Sequence, residues 1–307
     1  MPIMKNFALF LALLPALLFA QYNRGLIPRA SAEKGISQKV GYTKVSTSWN
    51  SPSVKGRKIW GELVPYNEIW RAGANAATTI EFSTSVTINN KKIDAGKYAL
   101  FVIPSLHHQW TLILNKDFEQ WGSYSYDTAK DVVRLSISPR KRESIAEDLT
   151  MSIEQHSFLH GAVVLSWEFL DMTIPFETDF VNSLSAEVKS KSEAAAENAK
   201  WSTYLQGADY LEELNVELAM ARTWHTQAEK MFKEVKSWDN RYVTKDYVEG
   251  HLLWVHAKLL ARSGDYAKAL ESAEKVKAMK VNEFYSRADN KTKIDGSIEL
   301  WKSMVKK

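Results

Sequence analysis

The 307 residues contain no cysteine. The fold therefore has no disulfide, no thiolate metal site and no lipid-bearing cysteine. Proline does not occur after Pro175, so the C-terminal part is free of the residue that most disrupts helices. An excess of one charge is also missing. The formal net charge is +4, with 40 basic and 36 acidic residues. A dedicated nucleic-acid binder would carry a basic face or stripe. The one short basic run, Arg140-Lys141-Arg142, follows a proline and precedes Glu143, and it reads as a solvated turn. No Gly-x-Ser-x-Gly, His-Glu-x-x-His, phosphate-binding glycine loop or dinucleotide fingerprint occurs.

Apolar residues make up 45% of the chain and charged residues 25%, an ordinary globular balance. The length predicts about two domains. Met1 to Asn6 carries Lys5, and Phe7 to Ala20 is a continuous apolar run. That run is shorter than the ~20 residues a spanning helix needs. A positive start, a short apolar core and small Ala20 predict a secretory signal peptide over residues 1–20. The mature protein is then expected to be exported, periplasmic or extracellular, with no transmembrane segment left after cleavage.

From Ile36 to about Thr178 the hydrophobic period is two. Val45-Thr47-Trp49 alternates with polar neighbours. Val86-Thr87-Ile88, Asn89-Asn90 and Lys92-Ile93 read as a strand, a tight turn and a return. Tyr98 to Ile103 and Trp110 to Leu114 form two more strands, followed by Val132 to Ser138, Leu149 to Ile153, Ala162 to Phe169 and a further short one at Met172 to Phe176. Such spacing predicts an antiparallel β-sandwich over residues 21–180.

After about Phe180 the pattern becomes helical. Ser185 to Ala199, rich in Ala, Glu and Lys, predicts a helical linker over residues 181–200. Then His251 to Leu260, Ser263-Gly264-Asp265-Tyr266, and Ala269-Leu270 with Ala273 read as helix, tight turn, helix. This resembles a tetratricopeptide repeat. Trp201 to Leu214 and Val216 to Phe232 form a degenerate earlier copy, without the Gly-Asp-Tyr turn. The expected fold is α+β multidomain, the sandwich preceding an all-α tetratricopeptide-like domain over residues 201–307.

The most unusual segment runs from Lys55 to Thr78. It gathers Arg57, Trp60, Tyr66, Trp70, Arg71 and Asn75 within about twenty residues, with glycines at 56, 61 and 73. It admits two readings. One is a long structured loop with its tryptophans in the core and its arginines bonded to backbone. The other is a ligand site, where aromatic faces beside Arg and Asn donors suit a sugar or an extended peptide. Those six residues are the candidate ligand-binding set.

Lys-Gly-Arg-Lys-Ile-Trp-Gly, Leu-Val-Pro-Tyr, Ile-Trp-Arg-Ala-Gly-Ala-Asn-Ala-Ala-Thr and Gly-Lys-Tyr-Ala-Leu-Phe-Val-Ile-Pro, with Asn115 to Tyr126, closely resemble a family of exported bacterial proteins. It is catalogued as domain of unknown function twenty-nine-eleven. The resemblance covers about Ser37 to Phe176. It implies a domain and a location and assigns no catalytic residue.

No catalytic residue, metal ligand or cofactor is assigned. His107-His108 falls in a turn, His156 and His160 flank another, and Asp127 and Asp131 read as a solvated turn. Glu62 and Glu68 are the one acid–base pairing the unusual segment offers. His225, His251 and His256 lie among apolar residues and read as core or groove. The expected function is an envelope binding or scaffold protein without catalysis, holding a protein or peptide partner through the helical repeats. The alternative is a carbohydrate-binding module or a glycan-directed hydrolase.

Overall fold

The computed structural model describes residues 29–107, 109–238, 243–279 and 283–306. The signal-peptide segment and His108 lie outside them. The chain divides into two compact units after Phe180.

The first unit is a pair of antiparallel sheets. The strands are β1 (Ala32–Val40), β2 (Thr43–Ser51), β3 (Thr78–Phe82), β4 (Val86–Ile88), β5 (Lys91–Ile93), β6 (Gly96–Ile103), β7 (Trp110–Asn115), β8 (Asp131–Ile137), β9 (Arg140–Gln155) and β10 (His160–Thr178). One sheet has six strands in the order β1-β2-β3-β6-β7-β8, the other four in the order β5-β4-β10-β9. Period-two patterning decides which side chains enter the core. In β2, Thr43, Val45, Thr47, Trp49 and Ser51 point inward while their neighbours face out or to the side. The inward faces of both sheets share one apolar core, including Val45, Ile80, Leu100, Leu165 and Ile174.

Strand β6 is buried on both faces, which explains its unbroken apolar run. Its outer side chains Ala99 and Phe101 join Ala77 and Ile113 in a second cluster, covered by Ile69, Phe118 and Tyr126. The β4–β5 hairpin turns through Asn89 and Asn90, at φ 51° and 59°, the pair of positive angles such a turn needs.

The second sheet departs from expectation in three places. Met172 to Phe176 is the continuation of the nineteen-residue β10. Strand β9 starts at Arg140 and runs to Gln155, longer than the expected Leu149 to Ile153. Arg140-Lys141-Arg142 is therefore the start of a strand, and two of its three cations have a buried partner. Asp171 is 3% exposed and is held by Arg140 Nη2 at 2.8 Å, Arg142 Nη1 at 2.6 Å and the Ser166 hydroxyl at 2.6 Å. Burial alone would raise the Asp171 carboxyl, but these donors bring it below its usual range. Asp131 is likewise no solvated residue: it takes bonds from Asn115 Nδ2, the Tyr126 hydroxyl and Arg134 Nη1.

The second unit is helical: α1 (Phe180–Ala194), α2 (Lys200–Leu214), α3 (Leu218–Lys233), α4 (Lys245–Arg262), α5 (Tyr266–Ala278), α6 (Glu283–Ser286) and α7 (Ala288–Val305). Helix α2 packs on α3, and α4 on α5. Ala221, Ala228, Ala257, Ala269 and Ala273 are fully buried at these contacts, where small side chains let backbones approach. The α4–α5 turn uses Gly264 at φ 81°, and Asp265 caps α5 by accepting from Lys268 N. The α2–α3 turn lacks that glycine and uses Asn215 at φ 55°, the next residue able to adopt this conformation cheaply. Helix α7 packs on α5, and Trp301 stacks on Trp254 with centroids 5.8 Å apart.

Candidate functional site

The segment between β2 and β3 spans the two sheets. Near its start, Val54 N donates to Glu147 O and Leu149 N to Pro52 O, pairing the chain with β9. Further on, Trp70 and Val102 exchange two bonds of 2.8 Å, pairing it with β6. Between these anchors the backbone turns repeatedly, with Lys55, Asn67, Ala72 and Asn75 at positive φ. Positive φ in a non-glycine residue is costly, and such strain persists where the surrounding structure over-determines it. At Gly73 the reason for glycine is space: a Cβ would lie 2.7 Å from Thr78 Oγ1 and 3.1 Å from Asn50 O.

The aromatic residues of the segment go inward. Trp60 stands edge-on to Trp70, Trp110 and Trp167, with centroids 5.6, 4.8 and 5.8 Å away. Trp70 is stacked on Trp167 at 5.6 Å. Trp167 belongs to β10 and sits where the β10–β9 register slips, beside Glu168 at φ 54°. Such a bulge re-aims a side chain, and here the indole enters the core. The Glu168 carboxyl is raised by burial, an effect the nearby Trp60 indole partly opposes. Even so, among the described residues Trp60 Nε1 meets no acceptor at hydrogen-bond geometry.

Above this cluster lies a cavity of about 400 Å³, within the range of small-ligand sites. Trp70, Trp167, Leu63 and Val64 give it apolar walls, and Lys55, Arg57 and Arg71 bring cations to it. Arg57 is tied to its own loop, donating from Nε to Val54 O at 3.0 Å and from Nη2 to Ser53 O. Arg71 differs. Its Nε is buried and meets no acceptor among the described residues, as is true of Trp167 Nε1. Burial lowers the Arg71 pKa, and Tyr124 opposes that shift.

Two exposed aromatics flank this end of the sandwich. Tyr124 acts electrostatically on Arg71, and Gly122 N donates to Asn75 O at 3.0 Å. Trp121 is half exposed and carries the Arg29 guanidinium 4.4 Å from its ring centre, one residue before cavity-lining Ala30.

Of the six residues singled out by sequence, Arg57, Trp70 and Arg71 line the cavity. The other three serve the loop and core. Trp60 lies in the tryptophan cluster, Tyr66 packs its ring beside Gly61, and Asn75 donates from Nδ2 to Asn50 Oδ1 at 2.6 Å. Sequence reasoning missed Lys55, Leu63 and Trp167. The first two lie inside the flagged segment, whereas Trp167 stands almost a hundred residues away in an ordinary-looking strand. Glu62 is exposed and paired with Lys58 at 3.1 Å, Glu68 is also exposed, and neither lines the cavity.

The helical unit has its own polar centre. Asp209 accepts from His251 Nε2 at 2.8 Å and Lys258 Nζ at 2.7 Å, and Glu212 pairs with Lys258 at 2.6 Å and Arg262 at 2.9 Å. Burial pushes the Asp209 carboxyl up, but the His251 bond and the Lys258 charge outweigh it and bring it down to about 2. Beside His251 lies a groove of about 430 Å³ walled by Trp201, Leu205, Trp238 and Tyr247. His225 is buried and bonded to Leu252 O at 2.9 Å, with His256 stacked on it at 5.3 Å. Among the described residues no three His, Asp or Glu side chains are grouped to hold a metal ion. No helix among them is long and apolar enough to cross a membrane.

A family model described as "Protein of unknown function (DUF2911)" matches residues 31–176. No curated protein matches the chain, and no solved structure does.

Proposed function

Because the sandwich domain, over residues 31–176, belongs to this family of unknown function, we propose a role from the chemistry of its cavity: an exported binding protein that captures a small ligand at the end of the sandwich. The observation that carries this reading is the pairing of an aromatic wall with donors that lack acceptors. Trp70 and Trp167 supply the apolar face, and Arg71 Nε and Trp167 Nε1 are buried without partners among the described residues. Natural proteins satisfy nearly all buried polar groups, so two unsatisfied donors on one cavity suit a partner supplied from outside. Export is supported by the charge and apolar pattern of Met1 to Ala20. Among the described residues the cavity lining contains no carboxylate to serve as acid or base, which suits binding.

A thermal-shift screen of the full chain against oligosaccharides, cell-wall fragments, peptides and divalent metals tests the proposal. A ligand at one hundred times its dissociation constant stabilises the unit that binds it by about 2.7 kcal/mol. The expected result is a hit that Trp70→Ala or Arg71→Ala abolishes. A hit indifferent to both substitutions would move the site elsewhere.

A second reading has its own support. The groove beside His251 carries Trp201, Trp238 and Tyr247, aromatic residues of the kind enriched at interfaces. If the two helical hairpins are tetratricopeptide-like, a peptide partner would lie there, and Trp238→Ala should abolish its capture while leaving the sandwich cavity unaffected.

A further inference from the structure

The chemistry of the sandwich cavity narrows the class of ligand, on the premise that the cavity is a binding site. A guanidinium N–H and an indole N–H can donate and cannot accept. The missing partner of Arg71 Nε and Trp167 Nε1 must therefore be an acceptor. Trp167 lines the cavity and is only 1% exposed, and its Nε1 is buried without an acceptor among the described residues. Among the described residues, none that lines the cavity is acidic, while Lys55, Arg57 and Arg71 are all cationic. Two carboxylates of β9 bond residues at the rim of the cavity. Glu147 accepts from the Lys55 backbone at 2.7 Å, and Asp148 accepts from Ser53 and pairs with Lys34. Arg57 donates to backbone carbonyls and Arg71 Nε has no acceptor among the described residues, and guanidinium groups so placed favour a negatively charged acceptor over a neutral one. The other wall, Leu63, Val64 and Trp70, gives that acceptor a carbon body to rest on.

We propose that the cavity binds an organic oxyanion, a carboxylate, sulfate or phosphate carried on a ring, with the oxyanion against Arg71 and the ring against Leu63, Val64 and Trp70. An acidic sugar and an aromatic acid share this chemistry, and free inorganic phosphate shares its charged part.

The test uses the full chain and the fluorescence of its tryptophans, two of which line the cavity. Probes are taken in pairs: glucuronate with glucose, and benzoate with benzyl alcohol, plus inorganic phosphate alone. The expected result is that at least one organic anion binds tenfold or more tighter than its neutral counterpart. Arg71→Gln should erase that preference, and Trp167→Phe, which keeps a ring and removes the N–H, should weaken the anion several-fold. If Arg71→Gln melts early, Lys55→Gln at the exposed lip should still weaken the anion at least twofold. Phosphate binding as tightly as the organic acids would support the oxyanion and identify its source as the free ion. Neutral probes binding as well as the anions, with Arg71→Gln silent, would overturn the oxyanion and leave the cavity as a binding site. Silence from all five probes would overturn the oxyanion; the cavity itself would fall only if the broader screen also gave no hit sensitive to Trp70→Ala.

Discussion

Trp70 and Trp167 lie stacked, ring centroids 5.6 Å apart and planes 18° from parallel, one from an irregular loop and the other from a bulge in a long strand. That contact joins the cavity wall to the core. Trp167 is fully buried, so truncation removes a large apolar surface and leaves a hole. Trp167→Ala should destabilise the sandwich by about 3–5 kcal/mol in urea unfolding. Trp167→Phe should cost clearly less, because a ring remains against Trp60 and Trp70.

The buried Asp171 predicts a graded series. Arg140 is mostly exposed, and Arg140→Ala should cost less than about 1 kcal/mol. Arg142 is more enclosed and bonds the same carboxylate, so Arg142→Ala should cost more. Asp171→Ala leaves Arg142 and the Ser166 hydroxyl without their shared acceptor, and it should cost more than either arginine change. Equal effects for the two arginines would contradict the network.

Asn215 holds the α2–α3 turn in the left-handed region. Asn215→Ala should destabilise the helical unit by about 1 kcal/mol, and Asn215→Gly should be neutral or stabilising. Thermal denaturation followed by circular dichroism at helical wavelengths distinguishes them.

The Asp209 carboxyl, brought down to about 2 from an ordinary 3.8, makes the helical unit acid-sensitive. A depressed folded pKa contributes stability that is complete above the unfolded value and lost as pH falls through the folded one. The loss should occur between about pH 4 and pH 2 and amount to about 2 kcal/mol. Asp209→Asn should flatten that part of the stability–pH curve, measured by urea unfolding across the acid range.

Much of this was legible in the chain. Alternation in Val45-Thr47-Trp49, the Asn89-Asn90 turn and the apolar run at Tyr98 to Val102 each encode a strand through local sterics and burial. Small residues and Gly264-Asp265 encode the α4–α5 hairpin in the same local way. The segment around Trp70 stands out by composition, and Arg57, Trp70 and Arg71 from it line the cavity.

Tertiary structure decided the rest. Arg140-Lys141-Arg142 has the local look of a solvated turn, and only the approach of Asp171 from β10 turns its arginines toward a buried charge. Arg57, Trp70 and Arg71 line a cavity while Trp60, Tyr66 and Asn75 do not, because the anchors to β9 and β6 fix which way each loop residue faces. Trp167 reaches that cavity through a register slip between β10 and β9, which no local pattern encodes. Sequence fixes propensity and alternation over a few residues; which side chains converge depends on pairings between segments far apart in the chain.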